Sequence, residues 1–187
     1  MMDWNKITLK QFQLINEANK TENETERVVA IASIVWGDSV TELPLSEFNK
    51  KVKELSFLSE EIPSNRLVKK ITINDRKYFL DCLLGNITTS QYIDYINHLK
   101  GGKIEEILSV FVIPNGHKYN DGYDMAEVIS DIEDMPITVV NSTAFFFARQ
   151  YEEFIRIFQS YSMKKLKKTK MNRHTKKQLM ELLTSLG

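Results

Sequence analysis

The sequence predicts a mainly α fold: a compact multi-helix domain with one small β-hairpin and a basic C-terminal tail. Three observations carry that prediction. Apolar residues recur at intervals of three or four through most of the chain, the period of an amphipathic helix. One stretch alternates instead about an Asn-Asp pair, as a hairpin does. Charge, finally, is divided sharply between body and tail. The 187 residues include 25 Lys plus Arg, 25 Asp plus Glu and 42% hydrophobic residues. That much apolar material at zero formal charge offsets chain entropy, which excludes a disordered chain. The lone Cys82 permits no internal disulfide and no multi-cysteine zinc site, pointing to a reducing compartment. The opening Met1-Met2-Asp3-Trp4-Asn5-Lys6 lacks the regions of a signal peptide. No apolar stretch approaches the roughly 20 residues of a membrane span, so no membrane association is expected.

In chain order, Thr8-Leu9-Lys10-Gln11 fits a capping box and opens a helix expected over 8–20, with Leu9 and Phe12 at helical spacing. A polar run leads to Val28, Val29, Ile31, Ala32, Val35 and Trp36, apolar on most sides as in a buried helix, with Gly37 placed to end it in a left-handed conformation. A third, amphipathic helix follows Pro44, its apolar side formed by Leu45, Phe48, Val52, Leu55 and Leu58, and ends before Pro63. The period then changes. Val68, Ile71 and Ile73, then Tyr78, Phe79 and Leu80, flank Asn74-Asp75 and predict a hairpin near 67–82. A lone hairpin is marginal in water, so it should rest on the helices or pair with another chain's edge.

Thr88-Thr89-Ser90-Gln91 is a second capping box, and its helix runs to Gly101-Gly102. Ile104, Ile107, Leu108, Phe111 and Val112 predict the next helix, ended by Pro114. Turn formers crowd 114–122, and a short acidic helix is expected over 124–134 with Met125, Val128, Ile129 and Ile132 on one side. The strongest apolar block, from Val139 through Phe145, Phe146 and Phe147 to Tyr161, predicts a central core helix over 137–165. With no long linker, 1–162 reads as one helical domain and 163–187 as a basic C-terminal extension. That extension carries Lys164, Lys165, Lys167, Lys168, Lys170, Arg173, Lys176 and Lys177 against Glu181, a net +7, which leaves 17 basic and 24 acidic groups, or −7, in the body. The tail's lysines suit salt-dependent phosphate binding. Its apolar close, Leu179, Met180, Leu182, Leu183 and Leu186, suits docking on a protein surface better.

Catalytic signatures are missing: no phosphate-binding loop, no His-Glu-x-x-His and no Gly-x-Ser-x-Gly. No catalytic residue, cofactor or metal ligand is expected. His98, His117 and His174 stand apart, without partners at ligand spacing. Asn120, Asp121 and Asp124 around Gly122 lack the register of a calcium loop and read as turn formers. Cys82 has no nearby base and reads as a small buried or half-buried side chain. Phe145, Phe146 and Phe147 lie about 100° apart around a helix, so core packing on two sides is expected over one exposed stripe.

Several segments stand in a telling order: Ile7-Thr8-Leu9-Lys10-Gln11-Phe12, the helix 28–36, Leu45-Ser46-Glu47-Phe48-Asn49-Lys50, the hairpin with Lys77-Tyr78, and Ile87-Thr88-Thr89-Ser90-Gln91-Tyr92-Ile93-Asp94. Further along come Val112-Ile113-Pro114-Asn115-Gly116-His117-Lys118-Tyr119-Asn120-Asp121-Gly122-Tyr123-Asp124, the Ala144-Phe145-Phe146-Phe147 helix and Ser162-Met163-Lys164-Lys165-Leu166-Lys167-Lys168. In this order they resemble the phage tail assembly chaperone-like family, over about 7–168. It implies a non-enzymatic protein of the infected host cytoplasm that coats the long helical tape-measure protein until tail-tube subunits displace it. The expected contact surface is Leu9 and Phe12 on the first helix with Phe48 and Val52 on the third. Two alternatives stay open: a virion structural component, such as a connector, tail or packaged protein, and a phage protein that binds nucleic acid through the basic tail. Self-association is also left open.

Overall fold

A computed structural model of the chain describes residues 2–64, 67–80 and 87–147, with five further positions, 150, 164, 172, 177 and 178. After a 3-10 turn at Trp4–Lys6, helix α1 spans Leu9–Ala18. Its capping box forms as the sequence predicts: Thr8 Oγ1 accepts the Gln11 N–H at 3.2 Å and Gln11 Oε1 accepts the Thr8 N–H at 3.1 Å. Helix α2, Glu24–Trp36, begins earlier than its first valines because the Asn23 side chain accepts the Thr25 and Glu26 N–H groups. It buries one side, Ile31, Ala32 and Val35, while Val28, Val29, Ile34 and Trp36, on the helix's other apolar sides, are half-buried. Gly37 ends it at positive φ as expected, but with ψ 165°, an extended and not a left-handed helical value. Helix α3, Leu45–Lys53, continues into a 3-10 helix, Glu54–Ser59.

Strands β1, Lys70–Ile73, and β2, Arg76–Leu80, form the expected hairpin about Asn74 (φ 48°) and Asp75 (φ 63°). Positive φ at both residues is the backbone of a type I′ turn, whose twist matches that of the strands. The hairpin's support comes from a third antiparallel strand, β3, Val112–Pro114, beside β2. Here the sequence reading needs correction. Helix α5 spans only Ile104–Ser109, and Val112, Ile113 and Pro114 leave it for the sheet. The β-branched pair before a proline favours that extended state, and burial of Val112 and Ile113 against the core outweighs the helical spacing.

Between β2 and α5, helix α4 spans Thr89–Gly101 behind its capping box, and Gly102 closes it at φ 73°, ψ 7°. Gln91 has two duties. Its Oε1 accepts the Thr88 N–H at 2.9 Å, and its Nε2 donates to the Val110 carbonyl at 3.2 Å. Helix α6, Met125–Glu133, is capped by Asp124, and the chain is helical again over 137–147 (α7). The remainder of the predicted central helix, 148–165, lies outside the described run, as do Cys82 and most of the tail.

The core gathers around Phe111, which is fully buried, lies edge-on to Tyr95 and sits 4.0 Å from the Phe147 ring. Phe146 is half-buried and Phe145 is 62% exposed, so the aromatic triplet spreads around its helix. At the opposite end Trp4 packs edge-on against Phe12 and Phe57. The N-terminal segment is joined to the start of α7: the Leu9 N–H donates to the Met135 carbonyl at 2.9 Å and the Ile137 N–H to the Ile7 carbonyl at 2.8 Å. Thr138 Oγ1 also donates to Asn5 Oδ1, across a sequence separation of 133. The result is a mainly α compact domain with a small antiparallel sheet.

Candidate functional site

The densest polar constellation among the described residues lies where the hairpin meets α6. Strand alternation turns Tyr78 inward, and the turn places Asn74 and Arg76 beside it. On α6, Asp131 shares the inner side with Val128 and Ile132. Its side chain is 6% exposed. It accepts hydrogen bonds from the Tyr78 hydroxyl, from Asn74 Nδ2 at 2.9 Å and from Arg76 at 3.3 Å. Asn74 Nδ2 reaches Asp134 as well, at 2.9 Å, and Arg76 pairs with Glu127. Burial would push the Asp131 carboxyl up, but the hydrogen bonds from Tyr78 and Asn74 and the charge of Arg76 outweigh it and hold the pKa below its ordinary value. Burial, then the bond to Asp131, push the Tyr78 phenol up to about 12. A carboxylate with three donors and a depressed pKa is a poor proton acceptor near neutrality, and so is suited to clamping the hairpin onto α6.

Beside this clamp runs a cleft of about 430 Å³, bounded by Arg76, Lys77, Asn115, His117, Tyr123 and Glu127. Its outer wall is the loop after β3. Tyr119 ties that loop to α4 by donating to Asp94 at 2.8 Å, and its phenol is pushed up by burial and that bond. Asp124, read from the sequence as a turn former, caps α6: its carboxylate accepts the Ala126 N–H at 2.8 Å. Among the described residues, no group of three or more His, Cys, Asp or Glu is placed to hold a metal ion. No described helix is long and apolar enough to cross a membrane.

The predicted contact residues differ in exposure. Leu9 is 2% exposed and belongs to the core, so it offers nothing to a partner; the helical spacing that singled it out marks the buried side of α1. Phe12 is half-buried against Trp4. Phe48 and Val52 are half-buried on α3, a helix with no buried residue, whose Leu45 is 74% exposed. A second apolar face, not anticipated, lies on α4: Tyr92, Ile93 and Leu99 are 40%, 53% and 41% exposed. Of the basic tail, Lys164 and Lys177 are described, both helical and exposed. Lys165, Lys167, Lys168, Lys170, Arg173 and Lys176 lie outside the described residues.

The clamp was missed because Asp131 reads as one more acid on an acidic helix. The signal was its position, three residues after Val128 and one before Ile132, inside the apolar stripe. Compared with known proteins, the chain matches no family model, no curated protein and no solved structure.

Proposed function

We propose that the chain works by holding another polypeptide, as a phage tail assembly chaperone-like protein whose partner is the tape-measure protein. The reading is supported by the segment resemblance and, above all, by one structural observation: α3 is amphipathic yet buries none of its residues, leaving Leu45 exposed and Phe48 and Val52 half-covered. A helix with its apolar stripe only partly covered is suited to laying that stripe against the apolar face of a second helix. Contacts of this size are individually weak, which fits a partner that must later be given up. No covalent chemistry is needed for such a role.

The test is co-expression with tape-measure fragments from the same phage. Wild-type chain should co-purify with a fragment, and Leu45→Asp with Phe48→Ser should abolish capture while far-UV circular dichroism stays unchanged. The protein should also be missing from mature particles by mass spectrometry. Retention in particles at fixed stoichiometry would replace this reading with a virion structural role.

A further inference from the structure

The solvent face of the sheet has a composition that neither the fold nor the proposed role uses. We propose that this face is a platform for a short stretch of single-stranded nucleic acid. In the antiparallel register Lys70 lies opposite Phe79 and Phe79 opposite Ile113; in the next row Thr72 lies opposite Lys77. Asn115 extends that row, since its N–H donates to the Lys77 carbonyl at 2.8 Å. Partners across strands share a face, so Lys70, Thr72, Lys77, Phe79 and Asn115 present their side chains together. Lys70, Thr72, Lys77 and Asn115 are exposed on this face and Phe79 is 38% exposed, while Ile113, opposite Phe79 on β3, is 7% exposed and closes that edge; Tyr78 and Leu80 point the other way, into the core.

Three features favour a nucleic-acid strand. Lys70 and Lys77 are diagonal neighbours, about 7–8 Å apart at the backbone, and neither forms an ion pair among the described residues. They form a local positive patch on a body that is otherwise net acidic. Between and beside them is a hollow of about 410 Å³, lined by Lys70, Ile71, Thr72, Lys77, Tyr78 and Asn115. It has room for a phosphate group, with a hydroxyl and an amide at hand. Phe79, directly across from Lys70, adds an aromatic ring on which a base can stack, the feature that separates a nucleic-acid strand from an acidic polypeptide. Sequence specificity is not implied, because stacking and phosphate contacts are tolerant of base identity.

Fluorescence anisotropy of labelled dT12 and rU12 oligonucleotides with the full chain, from about 20 mM to 300 mM NaCl, tests the proposal. Lys70→Glu with Lys77→Glu should weaken binding at least tenfold and flatten the log-log salt dependence by about 1.4, two phosphates at about 0.7 each. Phe79→Ala should weaken binding about fivefold to a hundredfold with the salt slope unchanged. Lys70→Gln with Lys77→Gln repeats the charge test with a milder change, and Lys50→Glu with Lys53→Glu on α3 reverses the same charge elsewhere. Binding that is undetectable at the lowest salt, that ignores the sheet variants, or that falls equally in the α3 variant would overturn the proposal. Displacement of the oligonucleotide by an equal concentration of oligo-glutamate would replace it with an acidic-peptide site.

Discussion

Replacing Asp131 by asparagine isolates the clamp between hairpin and α6, because shape is kept and charge is lost. The carboxylate is almost fully buried and accepts from Tyr78 and Asn74 as well as Arg76. Hydrogen bonds to a charged group are worth about 1.5–3 kcal/mol net, and the Tyr78 hydroxyl would face an amide that satisfies it less well. The half-exposed Arg76 adds little, since solvent and salt screen it. Asp131→Asn should therefore cost about 2–3 kcal/mol, read as a lower urea midpoint at unchanged slope by circular dichroism at pH 7. Tyr78→Phe should cost about 1–2 kcal/mol. The two share one interaction, so the double variant should lose less than the sum by about 1–2 kcal/mol. The pH dependence has a definite sign. Asp131 is held below its ordinary pKa in the fold, so its contribution is present above the unfolded value near about 4 and is lost as pH falls through the folded value. The acid limb of the stability profile should be shallower in Asp131→Asn. A cost below about 0.5 kcal/mol, strict additivity with Tyr78→Phe, or an unchanged acid limb would refute the clamp.

The turn offers a paired test: Asn74→Gly loses bonds to Asp131 and Asp134 and should cost about 1–2 kcal/mol. Asp75→Gly exchanges left-handed strain for chain entropy and should stay within about 0.5 kcal/mol of wild type. Gln91→Ala removes half of a capping box and leaves the buried Val110 carbonyl without its donor, so thermal unfolding should drop by about 5–10 °C. In a spectrophotometric titration Tyr78 should ionise near pH 12, with Tyr119 also raised, and Asp131→Asn should bring the Tyr78 step down while leaving the Tyr119 step in place.

Local signals in the sequence reached far into this fold. Thr8 with Gln11 and Thr88 with Gln91 mark two helix starts because a capping box is satisfied within four residues, and Asn74-Asp75 marks the turn because its backbone requirement is equally local. What the pattern hid is non-local. Phe111 and Val112 continue the helical spacing of Ile104, Ile107 and Leu108, and only the presence of β2 alongside turns Val112 into a strand with Ile113. Leu9 and Leu45 look alike as apolar helix positions, yet one is 2% and the other 74% exposed, because burial depends on what the rest of the chain brings near. The sheet face was likewise invisible, since Lys70, Lys77 and Phe79 become neighbours only through register.

The joint between the two ends of the described chain has a consequence for synthesis. Lys10 meets Glu133 across 123 residues, and the backbone bonds around Leu9 and Ile137 flank that contact. Until residues 135–138 have left the ribosome, the Leu9 N–H at the start of α1 lacks its Met135 partner and the Trp4 end stays unsealed. Maturation of the nascent chain should thus be gated late, with closure of this long loop as the slow step and premature termination before Met135 yielding a product that proteases clear.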